Sequence, residues 1–475
     1  MSTRTWTSLA LAAALLAACG DSDGTNGFAS PAKDSSASAD ATSDTAPDSA
    51  TDSVTAPDSV TDSVTDSVTD SDTATAPDSA TDTDTAADTA PQCPAPTGLR
   101  PPRLSEHAGA YDPVRRHFVI LGGSTAASVN CDFPASTFEP TTWIYDVDCG
   151  DWRSVTTAGP PPRTRHAAAL AGGARQQLVI YGGRYRPPNT AAYTLRDDVW
   201  LFDLATETWQ ELPTKSGPAP RINPAMVWDP DADRLILFGG NASTSGTAYV
   251  SLNDTWTLDL TTGTWTELAT TGKPSPRLFT AATWDPSRKR LVIFGGGDNS
   301  SFLDPSGIFD ELWAMTPTTT TGAWTQLGAA SPTRPQARFW AGMVADLTRD
   351  RYLMFGGHDN AALGNRNDLW AFDPAGDTWS KVSAGDVFNK GPSGTCNFPP
   401  DFTVVDADAP ERREAQVFAA GDGEAFLMGG KTDCGAVDDL FRLDLGTDTW
   451  TEEVSATVGE SCVRAGGVGC KSLCF

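Results

Sequence analysis

Positive charge is scarce in this sequence. Its 475 residues hold 34 Lys+Arg against 61 Asp+Glu, a formal charge of −27. That removes the basic footprint phosphate binding needs and argues against a nucleic-acid partner. Histidine is rarer still, at four residues, too few for a His-rich metal centre. No apolar run reaches the roughly 18 residues of a membrane-spanning helix. The Gly-x-Ser-x-Gly, His-Glu-x-x-His and Gly-x-x-x-x-Gly-Lys strings are missing too, and with them the commonest signatures of hydrolases, zinc proteases and nucleotide-binding loops. What is plentiful is Gly (43), Pro (34) and Trp (15), a composition suited to an all-β chain full of turns. The length exceeds one ordinary domain unless that domain is a repeat array.

Glutamate is absent from Asp21 to Gln92, where sixteen Asp stand against the single Lys33. Over half of the formal charge therefore sits in this low-complexity stretch. Large apolar residues are nearly absent there, so the expectation for residues 20–92 is a disordered acidic Asp/Ser/Thr/Ala/Pro linker. Ahead of it, Arg4 and the Ala/Leu run from Leu9 to Ala18 read as a secretory signal ending in Leu16-Ala17-Ala18-Cys19. This resembles the lipobox of bacterial lipoproteins. The resemblance implies a signal peptide over 1–19, lipidation at Cys19, and an exported protein held at the outer membrane by its lipid alone.

After residue 100 the chain repeats. An apolar run closing on Gly-Gly recurs six times: Phe118–Gly123, Leu178–Gly183, Leu235–Gly240, Leu291–Gly296, Tyr352–Gly357 and Ala425–Gly430. Each run lacks polar alternation and is rich in β-branched and aromatic residues, the pattern of a strand buried on both faces. An Arg stands upstream of each pair: Arg103, Arg163, Arg221, Arg277, Arg338 and Arg412. Downstream an aromatic precedes Asp by three residues in five copies, Trp143/Asp146, Trp200/Asp203, Trp256/Asp259, Trp370/Asp373 and Phe441/Asp444; the fourth copy has Trp313 and Thr316. A final Trp closes each unit: Trp152, Trp209, Trp265, Trp324, Trp379 and Trp450.

These marks together resemble the kelch-repeat β-propellers, the group that includes the central domain of galactose oxidase. The resemblance implies an all-β, six-bladed propeller over about 93–458, each blade a four-stranded antiparallel sheet (A to D, inside to out), followed by a Cys-rich tail over 459–475. Physics points the same way. A sheet apolar on both faces must stack between neighbours, and a closed ring protects the end blades.

Beyond Cys19 there are eight cysteines: Cys93, Cys131, Cys149, Cys396, Cys434, Cys462, Cys470 and Cys474. An even number in an exported protein reads as four disulfides. The copies are in phase and need no strand exchange, so the expected seam is a bond from Cys93 to one of the last three. Cys131–Cys149 and Cys396–Cys434 would then be local clamps.

Function should sit where the B–C loops and D–A connections gather, since those segments are long and unlike one another while the A–B and C–D turns are short. The six Arg should ring the channel mouth on that face. They are candidates for binding an anion such as a carboxylated sugar or an acidic peptide. The structural alternative is that they pair with the acids two residues before the C-strand aromatics, namely Asp198, Asp254, Glu311, Asp368 and Asp439, with Thr141 in that place in blade one. Arg103 or Arg163 would then be the unpaired one. His107 and His166 could form a metal or acid–base pair near the inner edge. Trp340, Phe302, Phe309, Tyr185 and Tyr193 could rim a docking face. Asp146–Asp151 looks faintly like a calcium loop, without its bidentate Glu. No residue is singled out as catalytic, no metal site is assigned and no cofactor is expected. The sequence favours a monomeric binding or scaffold module for a protein or glycan. The alternatives are a sialic-acid mutarotase-like enzyme or, with less support, a galactose-oxidase-like copper enzyme.

Overall fold

A computed structural model describes residues 93–125, 138–187, 190, 192–245, 248–301, 304–359, 364–388, 403–432 and 435–457. All belong to one compact unit, Ala90–Phe475. The Gly-Gly runs are the second strands of six antiparallel sheets, and every sheet is built from consecutive segments of its own repeat. In blade one the order is Ala108–Asp112, His117–Leu121, Thr142–Asp146 and Asp151–Ser154. Blade six runs Val417–Gly421, Glu424–Met428, Leu440–Asp444 and Thr449–Val454. The innermost strands touch in a closed cycle, with that of blade one between those of blades six and two. The chain is a six-bladed β-propeller, and no strand is exchanged across its seam.

The doubly apolar second strands explain the cycle. Phe118 and Ile120 face the core shared with blade six, while Val119 faces the core shared with blade two. Successive side chains of a strand point to opposite faces, so one strand feeds two interfaces. Six core clusters result, one per interface. Each large side chain fully buried there contributes roughly 1.5–3 kcal/mol. The closing Trp of each unit acts as a wedge. Trp265 lies 5.2 Å from Tyr181 of the preceding blade, and Trp324 lies 4.7 Å from Phe238.

Two sequence irregularities have structural counterparts. The fourth copy, with its wider aromatic-to-Trp spacing, has a longer outer hairpin (Leu312–Pro317 and Thr321–Leu327) and gains a fifth, parallel strand, Ala269–Thr271. The Asp three residues after the C-strand aromatic, present in five copies, caps the C–D turn. Asp146 accepts the N–H groups of Asp148 and Cys149 at 3.1 and 3.0 Å, so the calcium-like string serves as a turn.

The seam differs from expectation. Cys93 is bonded to Cys149, with Cα atoms 5.4 Å apart. Neither the bond from Cys93 to the C-terminal cysteines nor the Cys131–Cys149 clamp forms. The reason lies in the segment ahead of blade one, which runs along that blade's outer strand. The Thr97 N–H donates to Asp151 at 2.9 Å and its hydroxyl to the Trp152 carbonyl at 3.1 Å, which brings Cys93 beside the C–D turn. The ring itself is closed by arginines. Arg100 pairs with Asp438 at 3.1 Å and donates to the Ser455 carbonyl, and Arg103 donates to the Thr457 carbonyl at 2.8 Å. Cys19, Cys131, Cys396, Cys434, Cys462, Cys470 and Cys474 lie outside the described residues.

Candidate functional site

The repeated arginines are frame, and two of the six were placed one residue off. Arg163, Arg221, Arg277, Arg338 and Arg413 are all but fully buried. Each lends its own backbone carbonyl to the second Gly of the preceding blade, as in Gly183 N–H to Arg221 at 3.0 Å. In blade one that carbonyl belongs to Leu104, which accepts from Gly430 at 2.8 Å. Leu104, not Arg103, therefore holds the frame position there. In blade six Arg413 holds it, while Arg412 pairs with Asp386 at 2.6 Å.

Each buried guanidinium is met on several sides by its own blade. Arg338 donates from Nε to the Gln336 carbonyl, from Nη1 to the Gly356 carbonyl, and from both terminal nitrogens to Asp368 at 2.5 and 3.0 Å. Trp370 Nε1 completes the chain by donating to Asp368 at 2.7 Å. The same Arg–acid link joins Arg163 to Asp198, Arg221 to Asp254, Arg277 to Glu311 and Arg413 to Asp439. Burial alone would raise these carboxyl pKa values. The arginine's hydrogen bonds and charge outweigh it and hold Asp198, Asp254, Glu311 and Asp368 below their ordinary range. Blade one has Leu104 and Thr141 in these two places, so it lacks both partners rather than one.

The two histidines are frame as well. His107 and His166 pack beneath the Gly-Gly turn of the neighbouring blade, where a Cβ on Gly429 would meet His107 at 2.9 Å and one on Gly122 would meet His166 at 2.8 Å. Both first glycines also sit at positive φ, 60° and 66°, which a side chain would strain. Burial pushes the two imidazole pKa values down to about 4 and about 3. Among the described residues no three His, Cys, Asp or Glu side chains converge as metal ligands.

The channel mouth is set by the residue that follows the frame position by two. Glu106, Arg165, Asn223, Phe279, Trp340 and Ala415 are all in the left-handed region, at φ 60°, 59°, 50°, 59°, 55° and 55°. Backbone hydrogen bonds link them at five of the six steps around the axis. Arg165 N–H donates to Glu106, Asn223 to Arg165, Trp340 to Phe279, Ala415 to Trp340, and Glu106 to Ala415 across the seam. Left-handed backbone is costly for bulky residues and persists where surroundings enforce it. The ring therefore holds six unlike residues, each two places after the frame position.

Charge and aromatics segregate around it. Arg165 bonds Glu106 at 2.5 Å, and Arg184, from the blade-two B–C loop, approaches the same carboxylate at 3.7 Å. The Arg165 guanidinium lies 4.9 Å from Trp340 and 5.4 Å from Phe279, whose rings are 4.0 Å apart; Arg184 lies 3.8 Å from Tyr193. Such contacts are worth about 0.5–2 kcal/mol each. The nearby arginines hold the Glu106 carboxyl at about 2 against the burial that would raise it. Across the seam, Glu414 pairs with Lys431 at 3.3 Å, and in blade five His358 bonds Asn365 at 2.9 Å. Trp340 and Tyr193 thus reach the mouth. Tyr185 packs 5.1 Å from Phe138 and Phe309 lies 4.2 Å under Arg277, while Phe302 is outside the described residues. Glu106, Arg165, Asn223 and Phe279 were not singled out from sequence. Their one signal is a fixed offset of two residues from the frame position.

Residues 78–227 and 173–398 match the family profile of the KLHDC2/KLHL20/DRC7 Kelch-repeats domain. The chain belongs to the kelch-repeat family. It is 32% identical over 228 residues to Adagio-like protein 3 of Oryza sativa subsp. japonica, covering 46% of this chain and 33% of that protein. It is 33% identical over 163 residues to acyl-CoA-binding domain-containing protein 5 of Arabidopsis thaliana, covering 33% and 22%. Human Kelch domain-containing protein 1 is 28% identical over 173 residues, covering 36% and 39%. The chain spans less than half of each of these curated relatives.

Proposed function

We propose that this kelch propeller is a binding or scaffold module for a protein or glycan, engaged through the face formed by its B–C loops and D–A connections, and that it is exported and anchored by a lipid on Cys19. One observation carries the binding reading. Six unlike side chains are held in costly left-handed backbone around the mouth on that face, while the frame beneath them repeats. On the opposite face the A–B turns are stitched blade to blade by ion pairs such as Arg288–Asp350 at 2.7 Å and Arg116–Glu424 at 2.8 Å. The anchor rests on Leu16-Ala17-Ala18-Cys19.

The test compares faces. Partners cross-linked to the full chain in its native envelope should be lost with Trp340→Ala or Tyr193→Ala and kept with Val114→Ser or Leu347→Ser, which alter exposed residues of the A–B turns. Loss with the second pair and retention with the first would sink the reading. For the anchor, metabolic labelling with an alkyne fatty acid should mark the wild type and not Cys19→Ser.

A further inference from the structure

The two ends of the channel differ in chemistry. The loop-face ring carries charge in Glu106 and Arg165, whereas the end between the A–B turns is apolar. A cavity of about 400 Å³ lies there, bounded by all six innermost strands, and no Asp, Glu, Lys, Arg or His among the described residues lines it. The next-to-last residue of each innermost strand contributes to its wall: Tyr111, Leu170, Trp228, Trp284, Ala345 and Ala420. Blades three and four thus place half-buried indoles where blades five and six have methyl groups. Trp228 lies across the A–B turn of blade two, where a Cβ on Gly172 would come within 3.6 Å of its ring. Met226 and Met343 add thioethers, and Leu347, 64% exposed, stands at the rim. The acids that end four of these strands take no part, because Asp112, Asp229, Asp285 and Asp346 pair with Arg115, Arg234, Arg290 and Arg351 of their own blades at 2.8–3.1 Å. Among the described residues each innermost strand has a neighbour on one side only, so its other edge turns backbone N–H and C=O groups to the axis.

We infer that this end of the channel is a binding site for a small neutral aromatic molecule of one or two fused rings. The site lies away from the loop face and does not depend on the role proposed for that face. Its volume falls within the roughly 300–1,000 Å³ of small-molecule pockets. With no charged side chain in the wall, an ionised ligand would give up its water without gaining a partner, so the site selects for neutrality. Indole faces and thioether sulfurs both favour aromatic rings, so it selects against saturated rings of the same size. The open strand edges can answer a hydroxyl or N–H carried by the ligand.

Calorimetric titration of the full chain with naphthol, its saturated counterpart decalol and the anionic naphthoate tests this. Naphthol should bind, and the other two should bind about tenfold more weakly or not at all. Ala345→Trp puts into the wall the residue that blades three and four carry at that place. It should weaken naphthol binding about tenfold or more, the scale on which an apolar pocket answers a misfit of one carbon group. Leu347→Asp sets a charge at the rim and should weaken binding too. Leu347 is exposed, so this variant keeps the test decisive if Ala345→Trp folds poorly. Photolabelling with an azidonaphthol should mark the strand peptides that hold Trp228 and Trp284. No naphthol binding up to its solubility limit, decalol or naphthoate binding as tightly, affinity unchanged in either folded variant, or label confined to the B–C loops would each overturn the site.

Discussion

Seven of the arginines buried in this propeller divide into two groups that differ in what surrounds them. The five frame arginines each meet an acid of their own blade and two backbone carbonyls, and in four blades a Trp indole donates to that acid. Arg165 and Arg184 share one glutamate and keep N–H groups unanswered. Residue type and burial are alike, so neither separates the two groups. The balance of charges and acceptors does. Blade one supplies the control, because Leu104 and Thr141 replace both halves of the pair and the blade still forms. The frame therefore tolerates the whole pair or none of it.

The largest effect should come from breaking that balance in the frame. Arg338→Leu leaves Asp368 buried without its cation and should cost about 3–5 kcal/mol in denaturant unfolding. Arg338→Leu with Asp368→Thr copies blade one and should recover most of the loss. A double variant no more stable than the single one would mean that the pair supplies something its replacement cannot.

Next comes the staple of the blade that lacks the pair. Cys93→Ser releases the segment that reaches Arg100 and Arg103 at the seam, and should cost about 2–4 kcal/mol, the usual range for a disulfide. Limited proteolysis should then cut ahead of Leu104 first. Cutting elsewhere first would show that the arginine contacts to Asp438, Ser455 and Thr457 hold the seam alone.

A smaller effect, spread over pH, follows from the histidines beneath the ring. Their folded pKa values, about 4 for His107 and about 3 for His166, lie below the ordinary value of 6.5. The unfolded chain therefore binds their protons first. The stability of the neutral buried form is complete above pH 6.5, falls as pH drops below it, and levels off only below the folded values. At pH 5 each histidine should have withdrawn about 2 kcal/mol relative to pH 8. His166→Gln should flatten this slope, and an unchanged slope would place the titration elsewhere.

Much of this was legible in the sequence, and the failures have physical reasons. The second strands were readable because burial on both faces removes polar alternation. The acids at 198, 254, 311, 368 and 439 were readable because each stands two residues before a C-strand aromatic. Register misled at two places. Arg412 and Arg413 are adjacent and only one can reach Asp439, while Arg103 stands next to Leu104, an apolar residue in a position that elsewhere carries charge. Cys93 was assigned by its place in the chain, and the hydrogen bonds of Thr97 that lay it on the outer strand leave no pattern in composition. The mouth ring was hidden for the opposite reason. Glu106, Arg165, Asn223, Phe279, Trp340 and Ala415 differ from blade to blade, so repetition, the clue to the frame, is missing there.

The smallest predicted change in stability is the most informative. Arg184→Gln removes a cation from a cluster with one cation too many. It relieves repulsion from Arg165 and forfeits a 3.7 Å approach to Glu106, two opposed effects that should leave stability within about 1 kcal/mol of wild type. Arg338→Leu, at similar burial, is expected to lose several times that. If instead Arg184→Gln unfolds the protein as readily as the frame variant does, the two groups of arginines are one group. The mouth would then be part of the scaffold, with its open N–H groups answered by water.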